Sequence, residues 1–324
     1  MNSERVVWLQ GDADPQQVGV KNARLAELTN EGIRIPEGFA VTASAYHEFV
    51  REARLAPVIA QELRRYRAGR DLVVVAAAIR AAFREASLPS ALTDEILAGY
   101  EELGGDGTEV AVRSSPIDLQ DDVADKTFLH LRSGADVLAA CRRCFASLFS
   151  AVAVGNREHR GPDQLAAAMP VTVQRMVRAD LGSSGTVRGE STFVRILATW
   201  GLGEPCADDP DQYSVHPGAR PMIVKHRGAK RTKIVYAGLR GTAAVPTTPD
   251  EQSGLVLTDD DIQELAHWSV IADKHFKRPM ELEWAKDGRS GALYLVEVHA
   301  RVLPVVTIDG PGRLVPVLQY TSGR

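Results

Sequence analysis

Glu281-Leu282-Glu283-Trp284-Ala285 and Leu293-Tyr294-Leu295-Val296-Glu297-Val298-His299-Ala300-Arg301 flank a polar, glycine-containing turn at Asp287–Gly291. Alternation of apolar and polar residues on both sides of such a turn predicts a β-hairpin. On a strand, side chains at i and i+2 share a face. Glu281 and Glu283 therefore point one way, and Glu297, His299 and Arg301 share a face of the second strand. Folded together, the strands would bring three carboxylates, an imidazole and a guanidinium onto one surface. Carboxylates at that density suit Mg²⁺, which takes oxygen ligands and completes its shell with phosphate. An arginine beside them would offset phosphate charge. An exposed sheet face laced with salt bridges would carry the same pattern, and the hairpin alone leaves both readings open.

Outward from the hairpin the elements are mixed. Thr258 is placed to cap a helix with Ile262, Leu265, Ala266, Ser269 and Ala272 on one face. Upstream, Met222–His226 and Lys233–Ala237 read as a basic hairpin around Gly228. Ser191–Thr199, Val171–Val177 and Glu109–Ser115 read as strands. Helices are predicted over Ala135–Phe149, Ala91–Leu103, Leu72–Ala86 and Ala56–Tyr66, with another after Thr42. Near the N-terminus, Val6–Leu9 and Phe39–Val41 are strand-like, and Val18–Leu28 reads as one helix.

Composition narrows the function classes. The 324 residues carry 38 Lys+Arg against 42 Asp+Glu, a net charge of −4, which excludes the basic footprint of a general nucleic-acid binder. The basic stretch Lys225–Lys233 lacks interleaved aromatics for base stacking and reads as a solvated face. Apolar runs such as Leu72–Ile79 fall far short of the roughly 20 residues of a membrane span. No secretory signal is expected at the N-terminus. Three cysteines argue for a reducing, cytoplasmic setting. Cys141 and Cys144 form a CxxC inside a predicted helix, with no second pair at ligand spacing, and read as packing residues.

Two further segments suit phosphate. Gly19-Val20-Lys21-Asn22-Ala23 opens a helix, whose N-terminus favours anions, although the P-loop spacing is absent. Arg113-Ser114-Ser115 ends a strand. Each is weak alone.

Taken in order, these segments resemble the phosphoenolpyruvate synthase and pyruvate phosphate dikinase family. The resemblance rests on Lys21 with Ile35-Pro36-Glu37-Gly38-Phe39-Ala40-Val41-Thr42, on Val110-Ala111-Val112-Arg113-Ser114-Ser115, and on Val173-Gln174-Arg175-Met176-Val177. Trp200-Gly201-Leu202-Gly203-Glu204, Pro279 with Glu281–Ala285, and His299-Ala300-Arg301 complete it, over about residues 5 to 303. It implies an α+β, ATP-grasp nucleotide-binding fold with subdomains flanking an ATP cleft. The domain would span 1–303, with breaks near 105–115 and 200–220, leaving 304–324 as a linker or tail.

Residue by residue, the resemblance implies that Lys21 and Arg113 hold ATP phosphates. Gln174, Met176 and Val177 would border the adenine, the last two through their backbones. Glu283 would bind the metal, and Arg301 would contact the transferred phosphate. Lys21, Arg113 and Arg301 are thus the expected catalytic residues. Some positions depart from the family pattern. Val20 and Ala26 replace glycines, and His130 falls where a phosphate-loop glycine is expected. Gly182–Glu190 lacks the usual Gly-Val-x-Phe-Thr run, Val302 replaces a proline, and His299 replaces a metal-binding glutamine. Glu297-Val298-His299-Ala300-Arg301 resembles instead the E-x-N-x-R of other ATP-grasp enzymes. Glu297 and His299 would then join Glu283 as metal ligands, with Mn²⁺ an alternative to Mg²⁺ because imidazole is the softer ligand.

None of the eight histidines sits in a phosphohistidine-like Gly-Thr-rich context. The sequence therefore predicts the ATP-handling component of a phosphotransferase. It would pass a phosphoryl or pyrophosphoryl group to a histidine on a separate domain or partner protein, or to a small molecule. Rifampin phosphotransferase is a relative that uses such a relay, and phenylphosphate synthase is a split system of this kind. The alternatives are a nucleotide-binding or scaffold subunit without turnover, and an ATP-grasp ligase forming an acyl phosphate.

Overall fold

The computed structural model describes residues 4–301 apart from 12, 118–125, 162, 204–208, 219–220 and 238–240, and the backbone of 305–309 and 313–317. The first lobe runs β1 (Val6–Trp8), α1 (Pro15–Val18), α2 (Val20–Asn30), β2 (Gly38–Val41), α3 (Ala43–Glu52), α4 (Leu55–Arg67), α5 (Leu72–Glu85) and α6 (Ser90–Glu102). It continues through β3 (Val110–Ser114), β4 (Thr127–Leu131), α7 (Gly134–Ser147), α8 (Ala151–Arg160) and β5 (Val171–Arg175). Its antiparallel sheet has the order β1-β2-β5-β3-β4. Phe39, Phe49, Phe83, Phe145 and Phe149 form the centre of its core. Capping residues set the helix starts: Thr42 accepts from the Ala45 N–H and Asp71 from the Val74 N–H.

The second lobe contains β6 (Ser183–Gly189), β7 (Val194–Trp200), β8 (Asp211–His216) and β9 (Met222–His226). After them come β10 (Thr232–Tyr236), β11 (Thr242–Pro246), α9 (Pro249–Ser253), α10 (Asp259–Phe276), β12 (Met280–Lys286) and β13 (Leu293–Ala300). Six strands make an antiparallel sheet in the order β13-β12-β6-β7-β8-β9. α10 lies on it, started by a capping box between Thr258 and Asp261. Leu265, Trp268, Leu282, Trp284 and Leu295 are its core. Leu25, Leu28 and Ile33 join that core, whereas Ala23 packs with Leu9, Val18 and Ala40 of the first lobe. α2 thus ties the lobes together and carries Lys21 at their junction. The stretch read as a linker or tail holds a further two-stranded piece of sheet, β14 (Val305–Asp309) paired with β15 (Arg313–Val317).

The α+β class is as expected, and the two sheets flank a cleft, as an ATP-grasp fold requires. Several local expectations are corrected. The helix read across Val18–Leu28 is two helices broken at Gly19, whose φ of 84° no continuing helix adopts. Met222–His226 and the strand after Gly228 do not pair. β9 pairs with β8, and β10 with β11. Lys230, read as part of a solvated basic face, is fully buried against Asp211. His130 lies inside β4 with φ 60°, a left-handed conformation that favours glycine. The acidic loop before it lies outside the described residues.

Elements not anticipated are α1, β4, α8, β6, β8, β11 and α9, besides β14 and β15. Gly134–Arg160 is apolar and long enough to cross a membrane by length and composition. It is broken into α7 and α8, and Val137, Cys141, Cys144, Phe145 and Val154 bury it in the first core. Burial pushes the Cys141 thiol up to about 12 and Cys144 well above its ordinary value, as inert packing residues.

Candidate active site

Register aligns the acidic face of the terminal hairpin. Glu283 lies opposite Glu297, and Glu281 opposite His299, with an irregularity immediately after Glu283. Leu282, Trp284 and Val298 turn the other way and are buried. β6 lies on the far side of β12, so Thr186 faces Glu283 and Arg188 faces Glu281. This aligned face forms the second-lobe wall of the cleft.

The first lobe supplies cations. Lys21 reaches across from α2 and donates to Glu297 Oε1. Arg113, on β3, donates through Nη1 to the Val296 carbonyl at 2.9 Å and lies 4.0 Å from Glu297 Oε2. Arg113 Nε is buried with no hydrogen-bond partner among the described residues. His299 Nε2 lies 3.1 Å from Glu283 Oε1 and 3.5 Å from Glu297 Oε1. One donor atom each from Glu283, Glu297 and His299 falls within 4.8 Å of the others.

Electrostatics couple these groups. Burial alone would raise the Glu283 carboxyl, but the His299 hydrogen bond, with Arg113 and Lys21 nearby, holds it below its usual range. The Glu283 hydrogen bond raises His299 against the effect of burial, helped by the charge of Glu297.

The cleft encloses about 320 Å³, at the lower bound of small-ligand sites. Ala111, Leu129, Met176, Val177 and Leu202 make an apolar end, while Arg113, Thr186, Arg188, Glu281 and Glu283 make a polar one. A small annex beside it is lined by Lys21, Asn22, Arg113, Thr172 and Glu297.

The family model described as "Pyruvate phosphate dikinase, AMP/ATP-binding domain" matches residues 15–301. The chain belongs to this family. It is 37% identical over 313 residues to the phosphoenolpyruvate synthase of Deinococcus radiodurans, covering 88% of this chain and 40% of that protein. The phosphoenolpyruvate synthase of Pseudomonas aeruginosa is 37% identical over 323 residues, covering 89% of this chain and 40% of its own. That of Escherichia coli is 33% identical over 356 residues, covering 97% and 45%. The chain therefore spans less than half the length of these relatives.

Within this AMP/ATP-binding domain, Arg113 and Glu283 line the cleft, Lys21 and Glu297 line the annex beside it, and His299 lies against both Glu283 and Glu297. Gln174, Met176 and Val177 line it, with the Gln174 amide donating to the Pro36 carbonyl at 3.2 Å. Arg301 stands apart. Its guanidinium donates to the Gly189 carbonyl at 2.6 Å and lies 3.5 Å from Glu190, and it is not among the residues lining the cleft. Glu204 lies outside the described residues. Sequence reasoning passed over Thr186 and Arg188, because β6 has no clean apolar alternation to mark it as a strand. Only its pairing with β12 brings them to the cleft.

Proposed function

We propose that this chain binds ATP with a divalent cation in the cleft and transfers a phosphoryl or pyrophosphoryl group to a histidine on another domain or protein. The observation that carries this is the interleaving of Lys21 and Arg113 from the first lobe with Glu283, Glu297 and His299 from the second. It supplies cations for phosphate and a donor set for metal at the polar end of an apolar slot.

The base would lie against Met176 and Val177. The Met176 N–H is committed to the Glu109 carbonyl and the Val177 carbonyl to the Ala179 N–H. Among the described residues, that leaves the Met176 carbonyl and the Val177 N–H, an acceptor and a donor that match the edge of adenine. The unpartnered Nε of Arg113 suits an anionic ligand. Two carboxylates and an imidazole fit Mg²⁺ or Mn²⁺, and Glu283, Glu297 and His299 would hold it. When bound, the cation would neutralise phosphate charge. Lys21 would exchange its bond to Glu297 for a phosphate oxygen, and Arg113 would stabilise the charge on the departing nucleotide. Such catalysis is mainly positioning and electrostatics. The relatives extend well beyond the length that this chain spans, which is in keeping with an acceptor on another domain. The buried, unpaired Cys141 and Cys144 are in keeping with a cytoplasmic setting.

Calorimetric titration with a non-hydrolysable ATP analogue, with Mg²⁺, with Mn²⁺ and with neither, tests the reading. Metal-dependent binding is expected. Absence of binding under all three conditions would overturn it.

A further inference from the structure

Among the described residues, the cation that the second lobe offers to the cleft is Arg188. It lines the polar end together with Thr186, Glu281 and Glu283, whereas Arg301 does not. Arg188 and Thr186 are two apart on β6 and share a face, opposite Glu281 and Glu283 respectively. One strand step, about 7 Å, therefore separates the Arg188 rung from the rung carrying the metal-site carboxylate.

Two carboxylates fix the guanidinium without exhausting it. Nε donates to Glu190 Oε1 and Nη1 to Glu281 Oε2, each at 2.9 Å. These bonds leave the N–H groups of Nη2. The side chain is 34% exposed, so those donors remain within reach of a ligand in the cleft. Glu190 is moreover divided among Arg188, Arg195 and Arg301, at 2.9, 3.7 and 3.5 Å. Its charge is not reserved for Arg188. A guanidinium held on two sides and open on the third is pre-organised to receive one more anion.

We propose that Arg188 contacts a phosphate of the bound nucleotide beyond the α position, with Glu281 and Glu190 as the positioning residues that aim it. This rests on the nucleotide reading of the cleft given above. Glu281 would hold Arg188 beside Glu283, so the guanidinium and the metal ligands would converge on the same phosphates from one wall.

The test is calorimetric titration of wild type, Arg188→Gln and Arg188→Met with AMP and with a non-hydrolysable ATP analogue, in Mn²⁺, with thermal melts alongside. Wild type is expected to bind both. Either variant should bind the analogue about ten-fold to a hundred-fold more weakly, as for loss of a charge-assisted contact, with AMP affinity kept within about two-fold. Arg188→Gln removes the charge but keeps an amide donor on a polar side chain, so it serves if Arg188→Met fails to fold. An equal loss for AMP and analogue, or no loss for either, would overturn the assignment. Failure of wild type to bind any nucleotide would instead sink the nucleotide reading, and this proposal with it.

Discussion

Gly19 and Ser115 are so close that a Cβ on Gly19 would lie 1.8 Å from the Ser115 carbonyl oxygen. The glycine has φ 84° and ψ 153°, a conformation essentially closed to other residues. Around it, the Val20 N–H donates to the Pro116 carbonyl at 3.2 Å and the Asn22 N–H to Ser115 Oγ at 3.3 Å. The first turn of α2 is thereby fastened to the end of β3, which sets Lys21 relative to Arg113. Gly19→Ala should destabilise the protein by about 2–5 kcal/mol, from backbone strain and overpacking together. It should also weaken analogue binding. A urea midpoint within error of wild type would count against this role.

Asp211 and Lys230 are both fully buried, and Lys230 donates to Asp211 Oδ1. Asp211 also accepts from the Gly228 N–H and the Val256 N–H, each at 2.8 Å, and from the Tyr213 hydroxyl at 3.2 Å. Lys230→Met strands one charge and should cost about 3–5 kcal/mol. Asp211→Leu strands a charge and three further donors, so it should cost more. Denaturant titration of the two variants tests the order, and the reverse order would refute this account of the site.

His275 on α10 bridges back to α2, with its ring nitrogens 3.0 Å from Glu27 and 3.1 Å from Glu31. The Glu27 hydrogen bond, helped by Glu31, raises its pKa above the ordinary histidine value against the opposing effect of burial. The folded form therefore holds the proton more tightly than the unfolded chain. Its contribution is fully present below about pH 6.5 and is lost as pH rises through the raised value. The pair is surface-exposed, so about 0.5 kcal/mol is expected. Between pH 5.5 and 8.5, wild type should lose that much more stability than His275→Gln.

The fold class was legible in the family resemblance of the motifs taken in order, and the acidic face of the hairpin in its alternation. The strand period puts Glu281 with Glu283 and Glu297 with His299, and the pairing register brings the two sets together. Arg301 shows where this reasoning stops. Alternation places it on the same face as His299, but it follows the last residue of β13, and its guanidinium turns to Gly189 and Glu190. β6 was illegible for another reason. Ser183 and Ser184 are buried in a small-residue strand that sheet pairing holds without an apolar stripe. The supposed hairpin around Gly228 failed because a buried ion pair, which no local pattern encodes, turns the chain there.

Glu297 touches both the cation and the metal side of the site, since Lys21 donates to it and His299 lies 3.5 Å away. Glu297→Ala removes a metal donor and releases Lys21 at once. Metal-dependent binding of the ATP analogue should be abolished. Binding without metal should persist or strengthen, because a freed ammonium is available to phosphate. Titrations with and without Mg²⁺ check both halves, and retained metal dependence would show that Glu297 is not a ligand.

His299 offers a nitrogen in a donor set that otherwise consists of carboxylate oxygens. Imidazole favours Mn²⁺ over Mg²⁺, while amide and carboxylate oxygens suit both. Wild type should therefore bind the ATP analogue more tightly in Mn²⁺ than in Mg²⁺, by about ten-fold if one nitrogen donor is worth 1–2 kcal/mol. His299→Gln replaces the nitrogen with an amide oxygen and removes the hydrogen-bond partner that holds Glu283 ionised. The Mn²⁺ affinity should fall while the Mg²⁺ affinity changes little, bringing the ratio toward one. Comparing the ratio between wild type and variant cancels general losses of stability or nucleotide affinity. A ratio that does not move would mean that His299 orients Glu283 without touching the ion.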